Sequence, residues 1–304
     1  MRKFSWHSLS LLGLVFFLLS VTTVLAAEPV KSQNYQDFSA WYLAKYNLNE
    51  LPYRAAAVIE TGSFTPLYFH QENTVIPTAS LIKLVTAGTV VNYNVDWWQK
   101  TSFSQADNEN DLRQYVGPKD TFSLLKLDNS DSVSIEQSFA SMLIGSANNS
   151  ANNFSYLITE RSSFIEKMRQ VAKNWGMTRT TIEEPTGLSL NNTSTAVDLA
   201  QGTCHALENF IIQYYSSKPT VSFVTSAGEK KTVQHTVYKL RSNPQRFFGA
   251  KTGYLHETGF HLSAGFITPQ GRRICVTILS TKDRATSEAV LYDLGKWVDE
   301  MYSW

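Results

Sequence analysis

The sequence predicts an α+β fold: an antiparallel sheet of about five strands, built from both ends of the chain and flanked by helices, with a helical lobe inserted between. Three observations carry this. Short apolar runs, Ala55 to Glu60 and Leu67-Tyr68-Phe69, flank a Gly62 turn near the start. Strand-like runs return from residue 219 onward, punctuated by Gly228 and by a Pro269–Gly271 turn. Between the two regions, apolar residues recur at helical spacing behind capping signals.

Taken in order, Arg2 and Lys3 precede an apolar stretch from Leu9 to Leu19, and Val24-Leu25-Ala26 offers a small-x-small cleavage pattern. Residues 1–26 therefore read as a secretory signal peptide, with an uncleaved membrane anchor as the alternative. Residues 27–304 are expected to form a single domain: a sheet lobe over about 27–79 and 219–304, and a helical lobe over about 80–218. Phe38, Trp41, Tyr42 and Tyr46 mark an early helix. Thr78, after Pro77, is a candidate N-cap for a helix carrying Leu81, Ile82, Leu84, Val85, Val90 and Val91 on most of its sides. Residues 92–134 are polar and loop-rich, which marks a functional segment or a surface excursion. Ser134 with Gln137 forms a capping box for a helix that Gly145 ends. Ser163 with Glu166 forms another, stopped by Gly176. Thr195 to Ile212 reads as one further helix, and Val290 to Met301 as an amphipathic C-terminal helix.

Composition excludes several classes. A hydrophobic fraction of 43% and a charged fraction of 17% are those of a globular protein. A formal net charge of +1 gives no reason to expect nucleic acid as a partner. The six histidines show no ligand spacing, so no metal and no cofactor are expected. Cys204 and Cys275 are the two cysteines, and nothing in the sequence brings them together. Two separately buried thiols are the preferred reading, with a disulfide as the alternative.

The chemistry gathers on Ser80 and Lys83. A serine and a lysine three positions apart at a helix start project into one small volume, where free N–H groups favour an anion. A lysine in a buried helix needs partners. Two downstream motifs supply them: Ser146-Ala147-Asn148 and Lys251-Thr252-Gly253. Each motif alone has an ordinary structural reading, as a helix end or a strand turn. Ser150-Ala151-Asn152 is a competing Ser-x-Asn, and the apolar Met142-Leu143-Ile144 run before Ser146 favours the first register.

The ordered set resembles the serine penicillin-recognising enzymes with their S-x-x-K, S-x-N and K-T-G elements. Within that group it is similar to the low-molecular-mass penicillin-binding proteins, the D-alanyl-D-alanine carboxypeptidases and endopeptidases. Ala79–Leu84 is close to A-S-L-T-K-M, Met142–Asn149 to L-L-I-x-S-G-N-D, and Pro185-Thr186-Gly187-Leu188 to N-P-T-G-L. Lys251–Tyr254 with Gly259-Phe260 is similar to K-T-G-Y and A-G-Y. The resemblance implies a β-lactamase/transpeptidase-like fold and a serine DD-peptidase acting on peptidoglycan stem peptides, with β-lactams as covalent inhibitors. It places the protein in the periplasmic or cell-wall space, touching membrane only if the signal peptide stays uncleaved.

The expected roles follow from residue chemistry. Ser80 is the nucleophile and Lys83 its base, its pKa lowered by a dry cleft and by Lys251 as second cation. Ser146 relays a proton. Asn148 holds substrate backbone and orients Lys83. Lys251 and Thr252 bind the terminal carboxylate, and Gly253 lets the strand approach closely. By resemblance, the N–H groups of Ser80 and Tyr254 form the oxyanion site. Two departures stand out. Asn149 replaces an aspartate, and Glu184 replaces the asparagine before Pro-Thr-Gly-Leu. Glu184 keeps a serine β-lactamase as an alternative, with a solvated loop glutamate as the plain reading. A non-catalytic wall-binding or sensor protein is the other. The short chain end tilts the choice toward the endopeptidases.

Overall fold

The computed structural model describes residues 30–31, 37–102, 110–118, 120–128 and 130–303. The expected signal segment lies outside the described residues.

Five antiparallel strands form the main sheet. β1 (Ala55–Glu60) and β2 (Pro66–His70) come from the N-terminal side. β5 (Phe247–Leu255), β6 (Gly259–Ile267) and β7 (Arg273–Thr281) come from the C-terminal side. The order is β5-β6-β7-β1-β2, which leaves β5 on an edge. β1 is buried along its whole length because both faces of the sheet are covered. Its alternate residues Ala55, Ala57 and Ile59 join one core, and Ala56 and Val58 join the other. That is why the sequence shows a short continuous apolar run there rather than alternation.

One face carries α1 (Phe38–Tyr46) and the C-terminal helix α8 (Arg284–Met301), with Phe38 and Trp297 fully buried between them. The other faces a helical lobe: α2 (Lys83–Val91), α3 (Ile135–Ile144), α4 (Asn148–Leu157), α5 (Arg161–Asn174), α6 (Ala196–Glu208) and α7 (Phe210–Ser216). The strands β3 (Thr220–Val224) and β4 (Lys230–Gln234) pair as a separate ribbon outside the main sheet. The Ser134–Gln137 capping box forms as expected, and Gly145 ends α3.

Four sequence expectations are corrected. Thr78 does not cap its helix: its backbone is helical and its hydroxyl donates to the Ala79 carbonyl. The chain instead enters α2 through a 3-10 turn, Ala79–Ile82, with Ala79 at φ 47°. Ser163 and Glu166 form no capping box. α5 starts earlier, at Arg161, whose guanidinium donates to Asn152 Oδ1 and Ser155 Oγ, both at 2.7 Å. The helix expected over Thr195 to Ile212 breaks at Asn209, whose side chain accepts from Ile211 and Ile212 N–H and so starts a new helix. Finally, Cys204 and Cys275 form a disulfide, with Cα atoms 5.7 Å apart. They are 71 residues apart in sequence, but α6 lies across the face of β7 that carries Cys275, so the fold brings them together.

Candidate active site

The site forms where the Ser80 turn meets the edge strand β5. Two glycines make that meeting possible. A Cβ at Gly253 would lie 2.9 Å from Ala79 Cβ and 3.2 Å from Ser80 N. Gly187 stands at φ +84°, and a Cβ there would come within 1.9 Å of the Ala79 carbonyl oxygen. Strand and loop thus press on the Ser80 backbone from two sides.

Lys83, at the first position of α2, is fully enclosed. Its Nζ donates to Ser80 Oγ at 2.7 Å, to Asn148 Oδ1 at 2.7 Å and to the Thr186 carbonyl. Burial pulls its pKa down to about 7, and the nearby Glu184 carboxylate acts in the opposite direction. An amine titrating there is half neutral at neutral pH and can accept a proton from the hydroxyl it touches. Of the two causes expected from sequence, a dry cleft and Lys251 as second cation, burial is the one that lowers the Lys83 pKa.

Lys251 is also fully enclosed, and its Nζ donates to Ser146 Oγ at 2.7 Å and to the Thr252 carbonyl at 2.9 Å. Its pKa is lowered by burial first, then by Lys83 and Arg284. The register ambiguity resolves geometrically. Ser146, at φ 62°, reaches Lys251, whereas Ser150 is buried and its hydroxyl has no partner among the described residues. Asn148 opens α4, with both its N–H and its side-chain amide donating to the Ser123 carbonyl. Asn149 pairs both ways with the backbone of Leu125, at 2.9 and 2.8 Å. An amide does there what an aspartate could do only as acceptor.

The cleft has a volume of about 390 Å³ and is lined by Ser80, Ser146, Asn148, Thr252, Gly253 and Tyr254, the sequence-predicted residues except the two enclosed lysines. Phe260, of the Gly259-Phe260 match, also lines the cleft, and lining residues without a sequence signal include Ser123, Thr236 and Arg284. Thr252 donates its hydroxyl to Thr236 Oγ1 at 2.7 Å. Thr236 is fixed by its own N–H to the Ile144 carbonyl, and by the neighbouring His235, which burial holds neutral, down to about 3. Arg284 opens α8 and stacks on Tyr238 at 4.5 Å. Hydroxyls at Thr252 and Thr236 with a guanidinium at Arg284 can hold a carboxylate, while the enclosed Lys251 stands behind the cleft-lining Ser146.

Glu184 is not solvated. Its carboxylate accepts from the N–H groups of Thr186, Gly187, Leu188 and Ser189, and from Asn192 Nδ2. Four of these donors converge on Oε1 and one on Oε2, and the side chain is fully buried, so the carboxylate shapes the loop that carries the Thr186 carbonyl. Among the described residues, no group of three or more His, Cys, Asp or Glu is placed to hold a metal ion.

Comparison with known proteins gives the family of the chain. The D-alanyl-D-alanine carboxypeptidase family model matches residues 45–282. The D-alanyl-D-alanine endopeptidase of Escherichia coli (strain K12) is 25% identical over 82% of this chain and 78% of its own. That of Pseudomonas aeruginosa is 26% identical over 94% and 84%. Among solved structures, the Streptomyces K15 DD-transpeptidase superposes with TM-score 0.74 at 21% identity, covering 82% of this chain and 98% of that one. A D-alanyl-D-alanine carboxypeptidase from Mycobacterium tuberculosis H37Rv gives 0.70 at 20% identity, covering 84% and 95%. The fold class predicted from sequence is the fold of these neighbours, and the chain belongs to the D-alanyl-D-alanine carboxypeptidase family.

Proposed function

We propose that the protein is a serine DD-peptidase that cleaves D-alanyl peptide bonds of peptidoglycan stem peptides through an acyl-enzyme on Ser80. The observation that carries this is the enclosed Lys83 amine, 2.7 Å from both Ser80 Oγ and Asn148 Oδ1, with a pKa near 7. Neutral Lys83 takes the Ser80 proton as Oγ attacks the D-Ala carbonyl carbon. The oxyanion forms against the N–H groups of Ser80 and Tyr254. Ser146, held by Lys251, passes a proton to the leaving amine as the C–N bond breaks. Thr252, Thr236 and Arg284 bind the carboxylate on the leaving side, and Asn148 holds the substrate backbone. Water then attacks the ester and frees Ser80. β-Lactams acylate the same serine.

The endopeptidase form of the reaction is the reading we adopt. The named bacterial relatives are endopeptidases. The cleft also shares Thr121, Leu188 and Tyr254 with a second cavity of about 170 Å³, which adds room for a substrate larger than a single stem peptide. Export to the periplasmic or cell-wall space is supported by the N-terminal segment and by the Cys204–Cys275 disulfide, which persists in oxidising compartments. The buried Glu184, engaged by four loop N–H groups and Asn192, argues against a β-lactamase.

Intact-mass measurement after benzylpenicillin is expected to give one adduct that Ser80→Ala abolishes. An unmodified wild-type protein, or an adduct that survives Ser80→Ala, would falsify the assignment. Digestion of crosslinked muropeptides beside uncrosslinked pentapeptides should favour the crosslinked substrate. Release of D-Ala alone would make the protein a carboxypeptidase.

A further inference from the structure

From a second, aromatic groove away from the cleft, we infer a binding site for the sugar strand of the polymer whose peptides the cleft cleaves. The inference rests on the proposed function for the identity of that polymer. The groove has a volume of about 320 Å³, within the range of small-ligand sites. Trp98, Phe210 and Tyr214 form its walls and are 76%, 74% and 44% exposed.

The groove is built rather than slack. Its floor is Trp97 and Tyr215, both packed edge-on against the buried Phe139, at 5.2 and 6.0 Å. The loop that presents Trp98 is pinned at both ends. Trp98 N–H donates to Asp96 Oδ1 at 3.0 Å, and the carbonyls of Trp97 and Gln99 accept from Glu136 and Ile135 N–H at the start of α3. Holding an indole this exposed on a fixed loop gains nothing for folding, and an exposed cluster of this kind marks an interaction site.

The chemistry of the groove selects the ligand. A pyranose presents a C–H face that lies on an aromatic ring and a rim of hydroxyls that seeks acceptors. Glu136 lies on the floor, receiving the Tyr215 hydroxyl on Oε1, with Oε2 directed to no partner among the described residues. Lys218 sits over the Tyr214 ring at 4.0 Å on the rim. A carboxylate on the floor disfavours an acyl chain or an anionic headgroup.

Placement also fits. Glu136 stands in the first turn of α3 and Ser146 follows just past its C-terminal end, with Glu136 to Ile144 spanning ~12 Å at the helical rise. α7 bridges the same span: Phe210 and Tyr214 line the groove, while the Ser216 carbonyl accepts from His235 Nε2 beside Thr236 of the cleft. An extended peptide of about five residues reaches ~17 Å, so a stem peptide in the cleft can keep its sugar in the groove.

The test compares wild type with Trp98→Ala/Phe210→Ala, using β-1,4-linked N-acetylglucosamine tetramers followed by tryptophan fluorescence and titration calorimetry, and purified sacculi for pelleting. The double variant is expected to bind tetramers and sacculi about tenfold more weakly, with Trp98→Phe retaining binding. Penicillin acylation and turnover of a soluble stem peptide should stay unchanged. Equal binding of tetramers by wild type and double variant would overturn the site. So would affinity of the groove for phospholipid vesicles in place of sugar. Loss of penicillin acylation in wild type, by contrast, would overturn the peptidase reading and leave the sugar titration to be judged separately.

Discussion

The two buried lysines look equivalent in sequence and are opposites in surroundings. Lys83 meets three oxygen acceptors and feels a carboxylate, Glu184, that partly restores its charge. Lys251 meets two acceptors and feels two cations, Lys83 and Arg284, with no carboxylate to offset them. One lysine is tuned to lose and regain a proton near neutrality, and it touches the nucleophile. The other supports Ser146 and the K-T-G strand without entering the cleft. The difference supports the proposal that Lys83 is the base and Lys251 an electrostatic support.

Removing each lysine should break the symmetry most sharply. Lys83→Met is expected to slow penicillin acylation by about 10⁴-fold, the upper range for a general base. The neutral side chain suits a buried site, so the variant should keep its thermal unfolding midpoint. Comparable rates in wild type and variant, measured by stopped-flow labelling, would move the base elsewhere.

Glu184→Ala acts on the Lys83 side alone. It strips five donors of their acceptor and should lower stability by about 3 kcal/mol in urea unfolding. Because Glu184 raises the Lys83 pKa, its removal should also move the acid limb of the acylation profile to lower pH. A limb that moves up would show that the carboxylate does not act on Lys83 as described.

Lys251→Met is expected to cost about 10²-fold in stem-peptide turnover, the scale of losing one electrostatic contact to the reaction. Thr236→Val, which leaves Thr252 without its hydroxyl partner, should raise KM for stem peptides about threefold to tenfold with little change in kcat. An effect of Lys251→Met as large as that of Lys83→Met would erase the division of labour.

Much of this was legible in the chain. The apolar run Ala55 to Glu60 and the strands after Lys251 announced a doubly covered sheet, and Ser134 with Gln137 announced a helix start. The S-x-x-K, S-x-N and K-T-G motifs name residues that the fold gathers at one site, because Ser80 and Lys83 stand at the entry to α2, Ser146 and Asn148 at the turn between α3 and α4, and Lys251 to Gly253 on the edge strand β5. Thr236 and Arg284 were invisible, since they reach the cleft from a loop and a helix start that carry no motif. The disulfide was missed because it depends on α6 lying across β7, a tertiary contact with no local signal. From sequence, Glu184 stays open between the water-activating glutamate of a β-lactamase and a solvated loop residue. Only the tight Thr186–Ser189 turn, folded back on its carboxylate, reveals its structural use.

The central claim is that neutral Lys83 activates Ser80. Acylation by penicillin isolates that step, because a β-lactam opens without needing a departing peptide. The second-order rate of adduct formation, followed by mass spectrometry across pH, should rise as Lys83 loses its proton and level off above a midpoint of about 7. A rate that is flat through neutrality, or that falls as pH rises there, would contradict it.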